Sequence, residues 1–322
     1  MASHPNITPF DPTFDSEKIA ALRNALSSSR PPLDDALPEI QDPSEHGITP
    51  KFASALWNSW HSTFLWSTAA AKIAKWPHFL ANFPSPDPST ENDLSIHFPG
   101  SFYEFSEVIT PLSDPSATPS FHIIVPSLPG FVFSSAPPRA GWTVKDTARI
   151  FHQLMLSLGY QYYAVQAGDW GAMVARELGA QYSEHCRVMH LNWCPGSVPE
   201  AERGEESERE KKCREQREAG WSGSWVRSCI ATSASIYYEN PRHDQFAAYC
   251  SAEENLIRCP VGYTSMGFDT APNSRRGAET TVAKGKLVWY KERDCAGHFA
   301  CLEDPEGMIE DIREVVGKFW DR

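Results

Sequence analysis

Short apolar runs alternate with longer amphipathic segments through the C-terminal two thirds of the chain. Short apolar runs are typical of buried strands, whereas apolar residues that recur about every 3.6 positions are typical of helices. Strand-like runs separated by helices favour an α/β fold with a mostly parallel sheet flanked by helices. The strand-like runs are residues 121–125, 162–166, 186–193, 258–265 and 286–291, and the helical segments are residues 142–158, 172–178 and 304–320. Ligands of such sheets bind at the carboxyl ends of the strands, so candidate chemistry is expected directly after these runs.

The N-terminal part of the chain has a different pattern. Residues 15–27 have helical periodicity, residues 30–43 are rich in proline, and the stretch that ends at Phe83 is rich in tryptophan and phenylalanine. A turn-rich linker follows at residues 84–92. We therefore predict four regions: an N-terminal region over residues 1–92, the first part of the core over 93–195, a cap over 196–258 and the second part of the core over 259–322.

The most informative motif is Ala167-Gly168-Asp169-Trp170-Gly171, which lies between a strand-like run and a helical segment. Small residues on both sides of a nucleophile, in a strand–turn–helix context, are typical of a nucleophile elbow. The central residue here is Asp169, and a carboxylate is ionised at neutral pH without the help of a base. Such a nucleophile favours attack on an sp³ carbon that carries a leaving group, as in an epoxide or an alkyl halide.

Two further residues complete a candidate triad. Asp269 follows the strand-like run 258–265, and His298 lies in a loop between the run 286–291 and the last helical segment. The order nucleophile, acid, histidine along the chain is similar to that of α/β-hydrolase triads. Each residue alone also fits a plain structural role in a turn or at the surface. Their combination at three strand ends favours the triad.

Several segments carry a resemblance to a known family. They are residues 126–134, 166–171, 189–192 and 297–303, in the family's order, together with the tryptophan-rich N-terminal part. The chain resembles a fungal soluble epoxide hydrolase of the microsomal type, in the α/β-hydrolase superfamily and in a shortened form. This resemblance implies an α/β-hydrolase fold with an N-terminal meander and a reduced helical cap. It also implies that Asp169 is the nucleophile, His298 the water-activating base and Asp269 the acid that orients the histidine.

The resemblance further implies that a lipophilic epoxide is converted to a diol through an alkyl–enzyme ester on Asp169. The N–H of Trp170 would then stabilise the oxyanion, and Tyr249 would be a lid tyrosine that polarises the epoxide oxygen. A second lid tyrosine is expected after Gly220, where the chain has Trp221, whose indole donates a hydrogen bond but no proton. Trp170 and Trp221 are the expected substrate-binding residues, and Tyr237 or Tyr238 is an alternative phenol.

One departure from the family concerns the oxyanion hole. The family has a buried strand that ends in His-Gly-x-Pro, and the corresponding strand and its hairpin are missing around Leu94 to Pro99. If residues 94–98 moved into the vacant place, the N–H of Phe98 would replace the lost oxyanion donor. Against this, apolar and polar residues alternate over 94–98, which is typical of a half-exposed strand and not of a buried parallel one.

Three alternatives to hydrolysis of an epoxide stay open. The Asp-Trp pair at the elbow is similar to that of haloalkane dehalogenases, in which the tryptophan holds the departing halide. The missing strand and the short lid also fit a homologue that binds a ligand without turnover. Lastly, Asp169 acting as a base would rearrange an epoxide with no water added.

The composition and charge of the chain limit the kinds of molecule that it is expected to bind. The chain has 322 residues, a net charge of −12 and eight cysteines, all in its C-terminal half and without a C-x-x-C pair. The negative charge disfavours nucleic acid, and no motif for a nucleotide cofactor or a metal is present. No apolar run reaches the length of a membrane span or signal peptide. We expect a cytoplasmic protein with reduced thiols, no cofactor and no membrane anchor, acting on an epoxide and water, with a homodimer left open.

Overall fold

The computed structural model describes residues 5–13, 16–29, 50–99, 103–199, 204–220, 235–242 and 245–321. Contacts divide the chain into two compact units, one formed by Met1–Pro9 with Phe79–Arg322 and the other by Phe10–His78. The four predicted regions remain predictions. Within the described ranges, no helix is long and apolar enough to cross a membrane.

The smaller unit is helical. Its helices are α1 (Ser16–Ser28), α2 (Pro50–Asn58), a π-helical turn (Ser59–Thr63) and α3 (Trp66–Ile73). Trp57 of α2 links these elements, because its indole N–H donates to Oγ of Ser29 at 2.9 Å and its ring stacks on His61 with centroids 4.7 Å apart. This tryptophan therefore ties the end of α1 to the π-helical turn.

The first sheet has three strands, β1 (Asn6–Phe10), β2 (His78–Phe83) and β3 (Leu94–Phe98), in the order β1-β2-β3. β2 and β3 are antiparallel, with Phe79 opposite Phe98. The other edge of β3 is bonded to the loop that follows residue 126, since the carbonyls of His97 and Ser95 accept from the N–H groups of Ser127 and Ser135, both at 2.9 Å. Both edges of β3 are therefore occupied, and β3 does not take the place of the missing strand.

The second sheet is parallel, as the alternation of runs and helices predicts. Its strands are β4 (Tyr163–Ala167), β5 (Cys186–Leu191), β6 (Val261–Phe268) and β7 (Leu287–Gly297), in the order β4-β5-β6-β7. The helices of this unit are α4 (Ser106–Leu112), α5 (Val144–Ser157), α6 (Asp169–Gln181), α7 (Glu208–Gly220), α8 (Ser235–Glu239), α9 (Phe246–Ser251), α10 (Arg275–Glu279), α11 (Ala300–Glu303) and α12 (Pro305–Phe319).

The prediction of a strand at residues 121–125 is wrong. This segment is extended and its side chains alternate as in a strand, since Ile123 packs in the cluster of α4 and α12 whereas Ile124 packs in the cluster of α5 and α6. β4 has the same alternation, with Ala164 in the first cluster and Val165 in the second. A strand also needs a hydrogen-bonded neighbour, and none of the strands in the described ranges pairs with this segment.

Capping residues fix the starts of α5 and α12. Thr143 and Asp146 form a capping box at the start of α5, and the Asp304 side chain accepts from the N–H of Gly307 at 3.1 Å at the start of α12. α6 is buried along most of its length, and its Arg176 donates to the carbonyls of Cys250 at 2.9 Å and Thr281 at 3.0 Å. These bonds hold the helix of the nucleophile elbow against the rest of the unit.

Candidate active site

Asp169 lies at the turn from β4 to α6, as the motif predicts. Its φ of 45° is in the left-handed region, which costs a non-glycine residue of the order of 1–3 kcal/mol. Such strain is typical of residues that are held for a functional purpose. The turn also requires a glycine before it, since a Cβ on Gly168 would lie 2.6 Å from Nδ2 of Asn192.

The structure brings the three predicted triad residues together. Nε2 of His298 lies 2.8 Å from Oδ2 of Asp169, and Nδ1 of the same ring lies 3.2 Å from Oδ1 of Asp269. Asp169 is half-exposed, whereas Asp269 is buried with only 4% of its surface exposed. The imidazole therefore bridges an accessible carboxylate and an inaccessible one, which is the arrangement of nucleophile, base and orienting acid.

Electrostatics hold His298 in its charged form. The bond to Asp169 raises its pKa most, the bond to Asp269 adds to this, and burial opposes both, with a resulting pKa of about 10. At neutral pH the histidine is thus an imidazolium between two carboxylates. Loss of the charge on Asp169 would remove the largest cause of this raised pKa.

Trp170 lies where the sequence predicts an oxyanion donor. Its backbone N–H donates to Oδ1 of Asp169, the oxygen that His298 does not contact. Its indole ring is buried and makes edge contacts with Tyr237 and Phe246 at centroid distances of 5.0 and 5.4 Å. The two carboxylate oxygens of Asp169 therefore have different partners: Oδ1 bonds to the N–H of Trp170 and Oδ2 to His298.

Two other predicted site residues, Phe98 and Tyr249, do not line the cavity that contains the triad. Phe98 lies in β3, where its ring stacks on Phe79, and Trp221 lies outside the described residues. The hydroxyl of Tyr249 donates to Oε1 of Glu177 at 2.6 Å. Burial, together with that carboxylate, raises the pKa of Tyr249 well above its usual range. The roles assigned to Phe98, Tyr249 and Trp221 remain predictions.

Two residues that carry little weight in the sequence share the cavity with Asp169. Tyr237 lines it beside Trp170, whereas the neighbouring Tyr238 is 80% exposed. Glu104 also lines it, and burial raises the pKa of its carboxyl to about 7, with the imidazolium of His298 opposing the rise. The only signal for Glu104 in the sequence is its place shortly after the missing strand.

The cavity has a volume of about 930 Å³, near the top of the range of about 300–1,000 Å³ that is usual for small-molecule sites. Asp169, Trp170 and His298 lie at one end of it. Most of its remaining lining is aliphatic or aromatic. The carboxylate of Asp169 therefore lies in a cavity with mainly apolar walls.

Comparisons with known proteins agree with this geometry. A family model described as the epoxide hydrolase N terminus matches residues 7–115, and one described as the alpha/beta hydrolase fold matches residues 98–203. A Stigmatella aurantiaca protein named "Putative epoxide hydrolase" is 26% identical over 96% of this chain and 84% of its own length. Epoxide hydrolase 1 of Sus scrofa is 31% identical over 59% of this chain and 46% of its own, so the chain spans less than half of that relative.

The structure of Aspergillus niger epoxide hydrolase superposes with a TM-score of 0.73 at 24% identity, covering 99% of this chain and 98% of that one, which shows a common fold. The matching family model and the superposed structure show that the chain has the α/β-hydrolase fold. Its N-terminal part matches the epoxide hydrolase N terminus, and its homologues are epoxide hydrolases.

Proposed function

We propose that this enzyme opens a lipophilic epoxide to a diol through an alkyl–enzyme ester on Asp169. The observation that carries the proposal is the 2.8 Å contact between Asp169 and His298, with His298 in turn bonded to the buried Asp269. An aspartate at a nucleophile elbow, with a base and an orienting acid behind it, is suited to displacement followed by hydrolysis. The homologous epoxide hydrolases support the same reaction class.

In the first step a carboxylate oxygen of Asp169 attacks a ring carbon, the carbon–oxygen bond of the epoxide breaks, and its electron pair moves to the epoxide oxygen. Tyr237, which lines the cavity beside Trp170, donates a hydrogen bond to that oxygen. We assign this role to Tyr237 and not to Tyr249, because Tyr237 lines the cavity that contains Asp169 whereas Tyr249 lies outside this lining and bonds to Glu177. The imidazolium of His298 supplies the proton that the alkoxide takes up.

The second step follows from the change of charge. Asp169 is neutral once it is an ester, so the largest cause of the raised pKa of His298 is gone. The neutral imidazole then accepts one proton from water while the water oxygen attacks the carbonyl carbon of the ester. The bond from that carbon to the alkyl oxygen breaks, the second proton of the water passes to the alkyl oxygen, and the diol and the Asp169 carboxylate are released. Negative charge collects on the ester oxygen, and the N–H of Trp170 is placed to stabilise it, since it bonds to Oδ1 in the free enzyme. With Phe98 in β3, a missing second donor would lower the rate by about 100- to 1,000-fold.

A trapping experiment tests this mechanism. The substitution His298→Asn removes the base for the second step and keeps the nucleophile, so excess styrene oxide is expected to leave an ester on the peptide that carries Asp169, as seen by mass spectrometry. The double variant that adds Asp169→Asn is the control and is expected to carry no adduct. The parent enzyme is expected to release diol.

Other products would identify the alternative chemistries. Diol formed with no adduct in His298→Asn would contradict the ester mechanism. Halide release from an alkyl halide, without diol from the epoxide, would indicate a dehalogenase. An isomer of the epoxide would indicate that Asp169 acts as a base, and ligand binding with no product would indicate a non-catalytic homologue.

We further propose a cytoplasmic location. The seven cysteines in the described ranges are free thiols, and six of them are buried. Cys186 and Cys259 come closest to a pair, with sulfurs 3.9 Å apart, well beyond the length of a disulfide. A reducing compartment suits this state of the thiols, and labelling of the protein in fractionated cells would test the assignment.

A further inference from the structure

The cavity at Asp169 extends into the plane of the parallel sheet. It is lined by all five residues of β4 and by the extended segment 119–126. Both have side chains that alternate between the two core clusters, so both lie in the sheet's own layer. β4 is an edge strand, since the order of the sheet begins with it and its partner is β5. The cavity therefore occupies the place where a further strand would lie between β4 and segment 119–126.

Helices on both faces of the sheet close this slot. On one face it is lined by apolar side chains of α5 and α6, and on the other by apolar side chains of α4 and α12. The first group includes Leu154 and Leu178, and the second includes Leu112 and Val316. A slot with aliphatic walls on two opposite sides favours a narrow hydrocarbon over a bulky polar ligand.

The slot is long. Its lining begins at Asp169 and His298 and continues along β4 to Tyr162, Trp320 and Asp321. The stretch from Tyr162 to Gly168 alone spans about 20 Å at the roughly 3.3 Å rise per residue of a parallel strand. Styrene oxide would fill only the end of such a slot, whereas an extended alkyl chain would follow it.

In the described part of the slot, the carboxyl groups are not matched by basic lysine or arginine side chains. The lining contains Glu104, Asp169 and Asp321, and among the described residues that form it there is neither a lysine nor an arginine. The imidazolium of His298 lies at the reacting end, where two carboxylates already neutralise it. Two other histidines line the slot: burial lowers the pKa of His190 to about 4, and Nδ1 of His122 lies 2.8 Å from the hydroxyl of Tyr160. A carboxylate on the far end of a ligand chain would therefore lose its hydration without gaining a cation.

We propose that this slot binds the tail of the substrate, and that the substrate is an uncharged long-chain molecule with the epoxide at one end. The proposal rests on the proposed function for the reaction at Asp169, but the tail site itself follows from the cavity. Each methylene group that leaves water stabilises the bound state, so a long tail is expected to raise kcat/KM by about tenfold or more.

Kinetics with three probes test the proposal. They are styrene oxide, hexadecene oxide, and the analogue of hexadecene oxide with a carboxylate at the far end, each used below its aggregation concentration. We expect kcat/KM to be at least about tenfold higher for hexadecene oxide than for either of the others. Equal values for hexadecene oxide and styrene oxide, or a preference for the carboxylate, would overturn the tail site.

Two substitutions locate the tail. Ile124→Trp fills the middle of the slot, and Gly317→Leu narrows its far end at a helix position where a Cβ would meet nothing nearer than 3.7 Å. We expect Ile124→Trp to lower kcat/KM for hexadecene oxide to about the value for styrene oxide with the same variant. Gly317→Leu should lower kcat/KM for hexadecene oxide more than kcat/KM for octene oxide, whose shorter tail does not reach the far end. Ile309→Trp on α12, half-buried but outside the lining, is the matched control.

Binding of hexadecane diol, measured by calorimetry, separates this proposal from the proposed function. Turnover of styrene oxide with no binding of the diol would refute the tail site and leave the hydrolase intact. Binding that Ile124→Trp abolishes, with no turnover of any epoxide, would support the tail site and refute the hydrolase. A crystal structure with a peptide strand hydrogen-bonded to β4 in place of the diol would overturn the tail site.

Discussion

Nε2 of His298 lies 2.8 Å from Oδ2 of Asp169, so the proposed base of the second step is in direct contact with the proposed nucleophile of the first. In the free protein the bond to Asp169 stabilises the charged form of His298. In the proposed mechanism, formation of the ester removes the negative charge of Asp169 and with it this stabilisation. The contact that keeps the histidine protonated before attack would therefore allow it to act as a base afterwards.

The first prediction concerns the pKa of His298 in Asp169→Asn, which imitates the neutral ester. We expect this pKa to fall from about 10 towards the ordinary value of 6.5, because the bond to Asp169 is the largest cause of its rise. Asp269 still contributes, so the fall should be incomplete. Titration of the ring nitrogens by NMR measures the value. Asp294→Asn, at an exposed carboxylate bonded to Arg209, should leave it near 10. An unchanged pKa in Asp169→Asn would contradict the charge coupling.

The second prediction separates two tyrosines. Tyr237→Phe is expected to slow ester formation, because a donor to the epoxide oxygen is lost while the ring that packs against Trp170 is kept. Tyr249→Phe is expected to leave the rate within about twofold and to destabilise the fold by about 1–3 kcal/mol, since it deprives buried Glu177 of its partner. Single-turnover kinetics and urea unfolding measure the two effects. If Tyr249→Phe slowed ester formation and Tyr237→Phe did not, Tyr249 would be the residue that donates to the epoxide oxygen.

These two tyrosines also show where sequence reasoning reaches its limit. The triad is predictable because each member directly follows a strand, and parallel strands bring their carboxyl ends together. Tyr237 and Tyr249 lie in the predicted cap, on the short helices α8 and α9, where no strand fixes the direction of a side chain. The contact of Tyr249 with Glu177 joins residues 72 positions apart, which local periodicity does not reveal.

The segment 121–125 illustrates a second limit. Its apolar run and its alternating faces are those of a strand, and the structure keeps both. What it lacks is a hydrogen-bonded neighbour, and that depends on residues elsewhere in the chain. The missing strand between this segment and β4 is visible in the sequence as a departure from the family, but the cavity that results is not.

The third prediction concerns Glu104. Its carboxyl lines the cavity and burial raises its pKa to about 7, so a change in its charge near Asp169 and His298 should appear as a midpoint near pH 7 in the pH profile of kcat/KM. Glu104→Gln should remove this midpoint. Glu107→Gln, on an exposed residue of α4, should keep it. A midpoint that persists in Glu104→Gln would assign it to another group.

Glu104 also makes stability depend on pH. Its pKa in the folded protein is about 7, above the ordinary 4.5, so the folded state holds the proton more tightly. The contribution is fully present below pH 4.5 and is lost as the pH rises through about 7. Urea unfolding should therefore show that Glu104→Gln gains stability relative to the parent between these two values.

The last prediction concerns Asp311 of α12, whose carboxylate is completely buried under β6 and β7. Nε of Arg293 and Nζ of Lys291 donate to it at 2.7 and 2.9 Å, and the hydroxyl of Thr264 does so at 2.9 Å. Burial alone would raise the pKa of Asp311, but the bonds from Arg293 and Lys291 outweigh it and lower the pKa. The carboxylate of Asp311 is thus charged, and it helps to neutralise the charges of Arg293 and Lys291.

Removal of one member of a buried, bonded charge cluster typically costs about 3–5 kcal/mol. We expect a loss of that size in the free energy of unfolding for Asp311→Ala, measured with urea. The matched control is Glu314→Ala on the same helix, where the pair with Lys318 is largely exposed and should be worth less than about 1 kcal/mol. Similar losses in the two variants would mean that Arg293 and Lys291 find other partners or water when Asp311 is removed, and that α12 is held by its apolar contacts.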